Sequence, residues 1–588
     1  MNKNELANKI RRIDGLTNGE KSALIELLRK QKKYGLVWED KPEDVEERLR
    51  EELPVLIEDT GKAIISEEAD APNHILIEGD NLEALTALAY THEGQIDVIY
   101  IDPPYNTGNK DFVYNDQFVD KEDSYRHSKW LSFMSKRLHI AKQLLSDKGV
   151  IFISIDDNEQ AQLKLLCDEI LGENHFLAQL IWKKKQGGGN DSSYIVTEHE
   201  YVLCYGQNQT TLGLDKTYTL DDKLYPFSDD KGDFGLVTLD KASIQISNSL
   251  IYEIIGPDGK KYFPRIVKGK QSCWRWSKEK VKKQYDELVF KNGKVYTKYY
   301  RPKGVTPRSL LYDAKYGRTE SGNDDIKAIF DSKPFGYPKP VLLIKHLISI
   351  CTNEHKTILD FFAGSGTTLH ATMQLNAEDG GHRQCILVTN NENNICEEVT
   401  YKRNKRVIQG YTTPKGEEVP GLTGNTLRYY KTDFISRDRT PRNMRALVAA
   451  STDLLCIKND IYREAKLVGR NINPKIVRYF VEGDRSMLVI YDERAISAIA
   501  EILETVEPGK EKIKVYVFSA GSYAYDDEFE EVADKVELCA LPDAIYQAYQ
   551  KVLPKRRPKF LPEAIEEARQ SKADENGIFH FTDGEAEV

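Results

Sequence analysis

Apolar residues change their spacing along the chain near residue 73. Before that point, an amphipathic stretch near 5–34 and a charge-rich stretch near 42–52 predict a helical N-terminal arm over residues 1–70. From 71 to 183, short apolar runs alternate with helical segments, and residues 96–101 form an almost continuous apolar run that is typical of a strand buried on both faces. Strands that alternate with helices predict a parallel α/β sheet.

This alternation stops near residue 184 and resumes near 334, so residues 184–333 are predicted to be an insertion into one sheet. The second half of the sheet is predicted over 334–411. A stretch rich in glycine and proline, 412–425, predicts a linker. The strands and helices beyond it predict a smaller α/β domain over 426–588 with an acidic tail.

Charge is distributed unevenly between the insertion and the remainder of the chain. The 588 residues have a net charge of −10, yet residues 261–310 carry 15 Lys or Arg and three acidic residues, a local net charge of +12. Aromatic residues alternate with these cations. The pattern predicts a polyanionic partner, although a solvated basic face over a small aromatic core is the alternative.

Other compositional features exclude several classes of protein. No run of about 18 apolar residues predicts a membrane span, and the N-terminus lacks the apolar core of a signal peptide. The eight cysteines include no CxxC pair, so neither a zinc cluster nor a disulfide framework is expected. We therefore expect a cytoplasmic protein that binds no metal and no membrane.

A first candidate site directly follows the buried run 96–101, with the sequence Asp102-Pro103-Pro104-Tyr105. Ligands bind at the carboxyl ends of strands in parallel sheets. Consecutive prolines have fixed φ angles and no N–H, so their carbonyl groups are held rigidly. Asp102 offers an acceptor for an amino group and Tyr105 a face on which a planar base can stack. A strand-ending turn is the alternative interpretation.

A second candidate site, residues 360–367 with the sequence DFFAGSGT, lies between a predicted strand and a predicted helix. Gly364 and Gly366 allow a sharp turn and close approach of a ligand, and the helix N-terminus favours an anionic group. The loop lacks the lysine of a phosphate-binding P-loop, and Leu369 stands where a dinucleotide-binding loop has its third glycine.

Together the two motifs resemble those of amino-group DNA methyltransferases, which combine a D-P-P-Y motif with an F-x-G-x-G loop. Because the D-P-P-Y motif comes first, the chain resembles the beta group of these enzymes. Residues 102–108, DPPYNTG, resemble the longer motif of modification subunits of type III restriction systems. Residues 79–82 and 335–340 resemble two further segments of the family, and the resemblance spans roughly 70–550.

The resemblance implies a Rossmann-like methyltransferase core with an inserted DNA-recognition domain and S-adenosyl-L-methionine as cofactor. It implies that Asp102 and the Pro103 carbonyl accept hydrogen bonds from N6 of a flipped-out adenine, with Pro104 in the same turn and Tyr105 stacked on the base. Aspartate at the head of the motif favours adenine N6 over cytosine N4. The implied cofactor-binding residues are Asp80, Asn81, Lys339, Asp360, Phe362, Gly364, Ser365, Gly366 and Glu392. Glu392 follows two asparagines, which departs from the family pattern.

The inserted region is then expected to bind double-stranded DNA. The candidate DNA-binding residues are Lys184, Lys185, Arg275, Lys282, Lys283 and Arg301. A homodimer and a helicase-nuclease restriction subunit are expected partners. A specificity module that chiefly recruits such a nuclease-translocase is the alternative function. An RNA or protein methyltransferase is a third possibility, for which a basic insertion of this size is unexpected.

Overall fold

The computed structural model of the chain describes Thr17, Lys21 and residues 36–556. Within 36–556, the described part leaves out 69, 110, 116, 188–193, 209, 211, 216–221, 242–245, 268, 352–355, 471, 508–509, 520 and 522. The predicted amphipathic helix near 5–34, apart from Thr17 and Lys21, and the predicted acidic tail after 556 fall outside the described residues. The chain divides into two compact units, residues 212–308 and the remainder.

The larger unit is built on a ten-stranded sheet. Its strands are Glu52–Glu58 (β1), Asn73–Glu78 (β2), Ile96–Ile101 (β3), Leu145–Ile155 (β4), Phe176–Lys183 (β5), His199–Gly206 (β6), Leu310–Leu311 (β7), Thr357–Asp360 (β8), Gln384–Thr389 (β9) and Thr426–Ser436 (β10). They lie in the order β1-β10-β2-β9-β8-β3-β4-β6-β5-β7. The six neighbours from β10 to β4 pair in parallel, which confirms the predicted parallel α/β core.

Helices of the larger unit connect and cover these strands. They are Asp44–Glu51 (α1), Asn81–Thr91 (α2), Arg126–Leu144 (α3), Gln160–Cys167 (α4), Thr319–Phe330 (α5), Val341–Ser349 (α6), Thr367–Asp379 (α7), Lys402–Gln409 (α8), Pro441–Ala450 (α9), Thr452–Asn459 (α10), Ile496–Glu504 (α11) and Asp543–Gln550 (α12). Among the described residues, no helix is long and apolar enough to cross a membrane.

Helix α2 shows how the sequence produces this packing. Asp80 caps its N-terminus by accepting a hydrogen bond from the Leu82 amide at 2.7 Å. Residues 82–91 are all buried, because α2 packs against β1, α3, α10 and α12. Full burial of one leucine side chain contributes about 1.5–3 kcal/mol. A helix that is mostly apolar and buried on every side is therefore stable only inside such a core.

The smaller unit is narrower than the predicted insertion of 184–333. Strand β6 pairs between β4 and β5, and β7 pairs with β5, so the residues flanking 212–308 belong to the large sheet. The smaller unit contains a four-stranded antiparallel sheet and a short helix. The strands of this sheet are Phe227–Asp229, Gly232–Thr238, Leu288–Lys291 and Lys294–Tyr300. The helix of the unit is Lys278–Lys283.

The C-terminal region also differs from the predicted separate domain. Strand β10 lies in the large sheet between β1 and β2, so the predicted linker 412–425 leads from the region after α8 back into that sheet. A four-stranded sheet follows, formed by Val477–Glu482 (β11), Arg485–Ile490 (β12), Ile513–Phe518 (β13) and Val536–Leu541 (β14). Buried residues on one face of this sheet, including Phe480, Met487 and Val489, share a hydrophobic core with α2 and β3, and those on the other face form a second core. The Tyr549 hydroxyl donates to the Pro54 carbonyl at 2.6 Å.

Candidate active site

A cavity of about 1020 Å³ lies at the carboxyl ends of the parallel strands. Residues that directly follow β2, β3, β4, β8 and β9 line it, which is the usual ligand position in an open α/β sheet. Both motifs of the sequence therefore reach one cavity, although more than 250 residues separate them. The cavity is therefore lined both by Asp102, whose carboxylate can accept hydrogen bonds from an amino group, and by the glycine-rich loop.

The turn after β3 is held by side chains from later elements. The Trp130 indole N–H, from α3, donates to the Pro104 carbonyl at 2.7 Å, and Trp130 is fully buried. Asn106 adopts a left-handed backbone conformation, with φ of 58°, and its amide donates to Glu159. Burial raises the pKa of Glu159 to about 8. These contacts fix the position of Asp102 and Tyr105 on the cavity wall.

Four charged side chains and one phenol form a polar cluster on that wall, which we call the Asp102 cluster: Asp102, Tyr105, Lys184, Glu200 and Lys339. The Lys339 ammonium donates to both Asp102 carboxylate oxygens, at 2.8 and 2.9 Å, and lies 3.3 Å from Glu200 Oε2. Lys184 donates to Glu200 Oε1 at 3.1 Å. The two ammonium groups and two carboxylates thus compensate each other's charge.

The electrostatics of the Asp102 cluster keep Lys339 and Glu200 ionised. Burial alone lowers the pKa of Lys339, but Asp102 and Glu200 outweigh it and raise that pKa above its ordinary value. Burial alone raises the pKa of Glu200, but Lys339 and Lys184 outweigh it and lower that pKa. Burial, reinforced by Asp102 and Glu200, raises the pKa of Tyr105 well above its ordinary value. Tyr105 therefore remains a neutral hydrogen-bond donor at neutral pH.

The glycine-rich loop after β8 has the geometry that its sequence predicts. Gly364 and Gly366 have φ angles of 49° and 75°, in the left-handed region that favours glycine. A Cβ at Gly364 would lie 3.3 Å from the Phe335 ring, and one at Gly366 would clash with Asn404. The loop therefore has no room for a side chain at Gly366, and a side chain at Gly364 would require Phe335 to shift.

Buried polar side chains support this loop from below. Asp360 accepts hydrogen bonds from the Phe362 amide at 3.0 Å and from the Thr368 hydroxyl at 2.5 Å, and burial raises its pKa to about 7. The Arg403 guanidinium, from α8, donates to the Ser365 hydroxyl at 3.0 Å and to Thr367 Oγ1 at 2.8 Å. Both Asp360 and Ser365 are buried beneath the cavity surface.

A buried arginine joins the N-terminal segment to the cavity. Arg137 donates to both carboxylate oxygens of Glu43 at 3.0 Å and to the Asn81 side chain, and its guanidinium lies 3.5 Å from Asp80. The Asn81 amide in turn donates to the Phe361 carbonyl at 3.1 Å. Glu43 lies before the large sheet begins, yet it lines the cavity.

The structure brings most of the predicted site residues together. The cavity is lined by the predicted catalytic residues Asp102, Pro103, Pro104 and Tyr105, by the predicted cofactor residues Asp80, Asn81, Lys339, Phe362, Gly364 and Glu392, and by Lys184 and Lys185. Asp360, Ser365 and Gly366 lie outside the lining and support it. Lys339, predicted to contact the cofactor, donates through its ammonium to Asp102 and Tyr105, and its carbonyl accepts from Thr367 Oγ1 at 3.2 Å.

The other predicted DNA-binding residues lie in the smaller unit. Arg275, Lys282 and Lys283 are exposed there. Arg301 forms an ion pair with Asp222 at 2.6 Å, so its charge is partly compensated. The smaller unit carries 20 Lys and Arg and 12 Asp and Glu, which gives it a net charge of +8.

Sequence reasoning missed Glu200, Arg137 and Trp130. Glu200 carried a detectable signal, because it is an acidic residue within the apolar run 199–205 that forms a buried strand. Such a residue requires a partner. Arg137 and Trp130 gave no comparable signal, since a helix such as α3 exposes part of its surface. In the described part of the chain, no group of His, Cys, Asp and Glu could hold a metal ion.

Several known proteins are similar to this chain in sequence. A model of a DNA methylase family matches residues 96–401. The Mod subunit of the type III restriction-modification enzyme EcoPI from Escherichia phage P1 is 33% identical over 382 residues, covering 55% of this chain and 59% of that protein. The type II methyltransferase M.KpnI of Klebsiella pneumoniae is 36% identical over 364 residues, covering 58% and 87%.

A third relative is similar over a longer stretch. The Mod subunit of the type III enzyme StyLTI from Salmonella typhimurium is 32% identical over 421 residues, covering 66% of this chain and 60% of that protein. The chain thus spans about three fifths of the length of the two type III relatives.

Proposed function

Since the chain belongs to the DNA methylase family that its residues 96–401 match, we propose that it transfers the methyl group of S-adenosyl-L-methionine to adenine N6 in duplex DNA. One observation carries this proposal. The Asp102 turn and the Gly364 loop, each at the end of a parallel strand, line the same cavity of about 1020 Å³. That enclosure can hold a cofactor and an extruded base together.

The cavity residues fit the proposed cofactor. Gly364 provides a cradle that a Cβ would fill, and Phe362 offers an apolar surface beside it. Asp80, Asn81 and Glu392 supply polar groups on the same wall. The cofactor supplies an electrophilic methyl group, and these residues bind and orient it.

The residues after β3 act on the nucleophile. An aryl amine is weakly nucleophilic because its lone pair is delocalised into the ring. Acceptors at the Asp102 carboxylate and the Pro103 carbonyl favour a tetrahedral amine, and Tyr105 holds the base by stacking. Positioning and electrostatic stabilisation then supply much of the rate acceleration without a general base. The base must leave the duplex, at a cost of roughly a few kcal/mol.

Aspartate at position 102 favours adenine N6, and cytosine N4 methylation is the second candidate reaction. Both target amines need the same acceptors, so Asp102 supports either reaction in chemical terms. The family resemblance of the Asp-headed motif makes adenine the preferred target.

The similarity to type III Mod subunits supports a role within a restriction-modification system. We propose that the chain is the modification and recognition subunit, that it works with a helicase-nuclease subunit and forms a homodimer, and that its smaller unit binds DNA through its net positive charge. A specificity module that mainly recruits the nuclease is the alternative. It predicts DNA binding with little methyl transfer.

Mapping of modified bases tests this function in cells. Genomic DNA from cells that carry the chain is expected to contain N6-methyladenine at one short sequence motif, absent from cells without it. Cells that express Asp102→Ala serve as the control and should resemble cells without the chain. Methylcytosine at the motif would favour the second reaction, and no modified base at all would contradict both.

A further inference from the structure

Glu200 is the member of the Asp102 cluster to which neither the sequence motifs nor the proposed reaction gives a role. Glu200 lies near the start of β6, 95 residues after Tyr105 in sequence. Its side chain is only 11% exposed. One carboxylate oxygen accepts from Lys184 at 3.1 Å, so the group is fixed in orientation. The other oxygen faces Lys339 and the Tyr105 hydroxyl, at 3.3 and 3.1 Å.

Lys339 occupies the acceptors that the target amine needs. Its ammonium lies 2.8 and 2.9 Å from the two Asp102 oxygens, and its side chain is only 12% exposed. An amine that binds Asp102 must share these oxygens with Lys339 or displace it. A buried ammonium that leaves one carboxylate requires another anionic partner, because an unpaired buried charge is strongly unfavourable.

We propose that Glu200 is a positioning residue that receives Lys339 when the target amine binds Asp102. The inference rests on the proposed methyl transfer and adds the step by which Asp102 becomes available. The required movement is small, since the Lys339–Glu200 distance of 3.3 Å needs to shorten only to about 2.8 Å for a charge-assisted hydrogen bond.

The Tyr105 hydroxyl, like the Lys339 ammonium, has both the Asp102 and the Glu200 carboxylate as possible hydrogen-bond partners. It lies 2.9 Å from Asp102 Oδ1 and 3.1 Å from Glu200 Oε2, and it is 2.8 Å from the Lys339 ammonium. When Lys339 moves toward Glu200, Tyr105 can follow it without losing an acceptor. Both groups that now bind Asp102 thus have a second carboxylate within reach.

Charge gives Glu200 a second effect on the same step. As the bond from the target nitrogen to the methyl carbon forms and the carbon–sulfur bond of the cofactor breaks, positive charge develops on that nitrogen, which then loses one proton to solvent. A nearby ammonium without a counterion would oppose this charge, and Glu200 compensates Lys339 after Lys339 leaves Asp102. Removal of the Glu200 carboxylate should therefore slow methyl transfer only while Lys339 is present.

A double-mutant cycle tests this dependence. Glu200→Gln, Lys339→Gln and the double variant are compared with the wild type for kcat, for KM toward duplex DNA and for equilibrium binding of the cofactor. Glu200→Gln is expected to lower kcat/KM for DNA by about tenfold or more, while cofactor affinity stays within about twofold. In the Lys339→Gln background, the same substitution is expected to change kcat/KM by less than about twofold.

Glu198→Gln is the matched control. Glu198 lies two residues before Glu200, its side chain is 38% exposed, and its carboxylate is 3.8 Å from Lys183. The same chemical change there should leave kcat/KM unaltered. If Glu200→Gln does not fold, Glu200→Asp, which withdraws the carboxylate by one methylene, replaces it in the same cycle under the same criterion.

Equal losses from Glu200→Gln in both backgrounds would show an ordinary structural role and overturn the proposal. Unchanged kcat/KM in the wild-type background would overturn it too. Failure of the proposed function has a different signature, in which the wild type binds the cofactor and DNA but transfers no methyl group to it.

Discussion

Asp102 directly follows β3 on the cavity wall, and its carboxylate accepts a hydrogen bond from the Lys339 ammonium. Its carboxylate is the acceptor on which the proposed chemistry depends, and among the described residues it forms no hydrogen bond with the glycine-rich loop. Asp102→Ala is expected to lower methyl transfer by at least about a hundredfold, because an acceptor that acts in the transition state is lost. Cofactor affinity should change little.

Single-turnover methylation and equilibrium cofactor binding together check this prediction. Asp157→Ala is a suitable control, because Asp157 follows the neighbouring strand β4 and accepts from the Tyr201 hydroxyl at 2.8 Å. Wild-type methylation by Asp102→Ala would remove Asp102 from the catalytic machinery.

Gly364 gives a second prediction at the scale of the residue. Gly364→Val introduces a β-branched side chain at a φ of 49° and 3.3 Å from Phe335, on the cavity side of the loop. Backbone strain of about 1–3 kcal/mol and loss of space should together abolish measurable cofactor binding. Gly380→Ala is the control, since Gly380 has a φ of 70° with open space around it. Unchanged cofactor affinity in Gly364→Val would contradict the assignment.

Residues with a local signature could be predicted, whereas contacts between residues distant in sequence could not. Asp102, Tyr105 and Gly364 follow apolar runs in recognisable turns, so their place at the sheet edge could be inferred. Glu200 and Lys339 meet only after the chain has folded, because 139 positions separate them in sequence. The contact of the Lys339 ammonium with Asp102 follows from the nearby carboxylates.

At the scale of the element, the junction between β8 and α7 contains a pH-sensitive buried carboxyl group. Burial raises the pKa of Asp360 to about 7, above the ordinary value of 3.8. Between pH 4 and 7 the native state therefore holds a proton that the unfolded state releases. The contribution of Asp360 to stability is thus greatest at low pH and is lost as pH rises through the folded-state pKa.

Asp360→Asn should remove this dependence, because Asn still accepts from the Phe362 amide and can donate to Thr368. The free energy of unfolding of the wild type, relative to the variant, is expected to fall by up to about 1.4 kcal/mol per pH unit between pH 4 and 7. Urea unfolding of both proteins at pH 5, 6 and 7 measures it. Parallel curves would mean that Asp360 is ionised throughout.

Strand β3 matches the apolar run 96–101 that predicted it, since a buried parallel strand produces a clear apolar run. Strand β1 was not predicted, because residues 1–70 were expected to form a helical arm, and 52–58 pair with β10 in the large sheet instead. Strand β4 starts at Leu145, five residues before its apolar run, because the polar residues 146–148 also adopt strand geometry. Strand β7 has two residues and no recognisable pattern. It joins the sheet only through pairing with β5, so the end of the insertion could not be located from sequence.

For the whole molecule, uneven charge leads to a prediction about DNA binding. Lys282 and Lys283 end the helix of the smaller unit with exposed side chains. If both contact phosphates, Lys282→Glu with Lys283→Glu should flatten the salt dependence of log affinity by about two units, at about 0.9 for each contact. The methylated sequence should remain the same, because phosphate contacts do not read bases.

A salt titration of duplex binding makes the comparison. Lys510→Glu with Lys512→Glu changes the net charge equally at another part of the surface and controls for long-range electrostatics. Lys510 pairs with Asp484 at 2.8 Å, and Lys512 donates to the Ala533 carbonyl at 2.8 Å. Identical slopes for the two double variants would place Lys282 and Lys283 outside the DNA interface.

For the whole molecule, the charge of the insertion and the class of fold could be predicted from sequence, whereas the division of the chain into compact units could not. The C-terminal strands were predicted as a separate domain because glycines and prolines precede them. In the structure, α2 is buried between the first half of the sheet and the C-terminal helices α10 and α12, so one core spans both. Such sharing depends on tertiary packing that no local pattern encodes.

The central claim is that one cavity joins cofactor and adenine for methyl transfer. The most direct test incubates the purified chain with duplex DNA and S-adenosyl-L-methionine labelled in its methyl group, and then identifies the labelled nucleoside after complete hydrolysis. The account predicts label in N6-methyladenine with the wild type and none with Asp102→Ala. Equal labelling by both proteins, or binding of DNA and cofactor by the wild type without any labelled nucleoside, would contradict it.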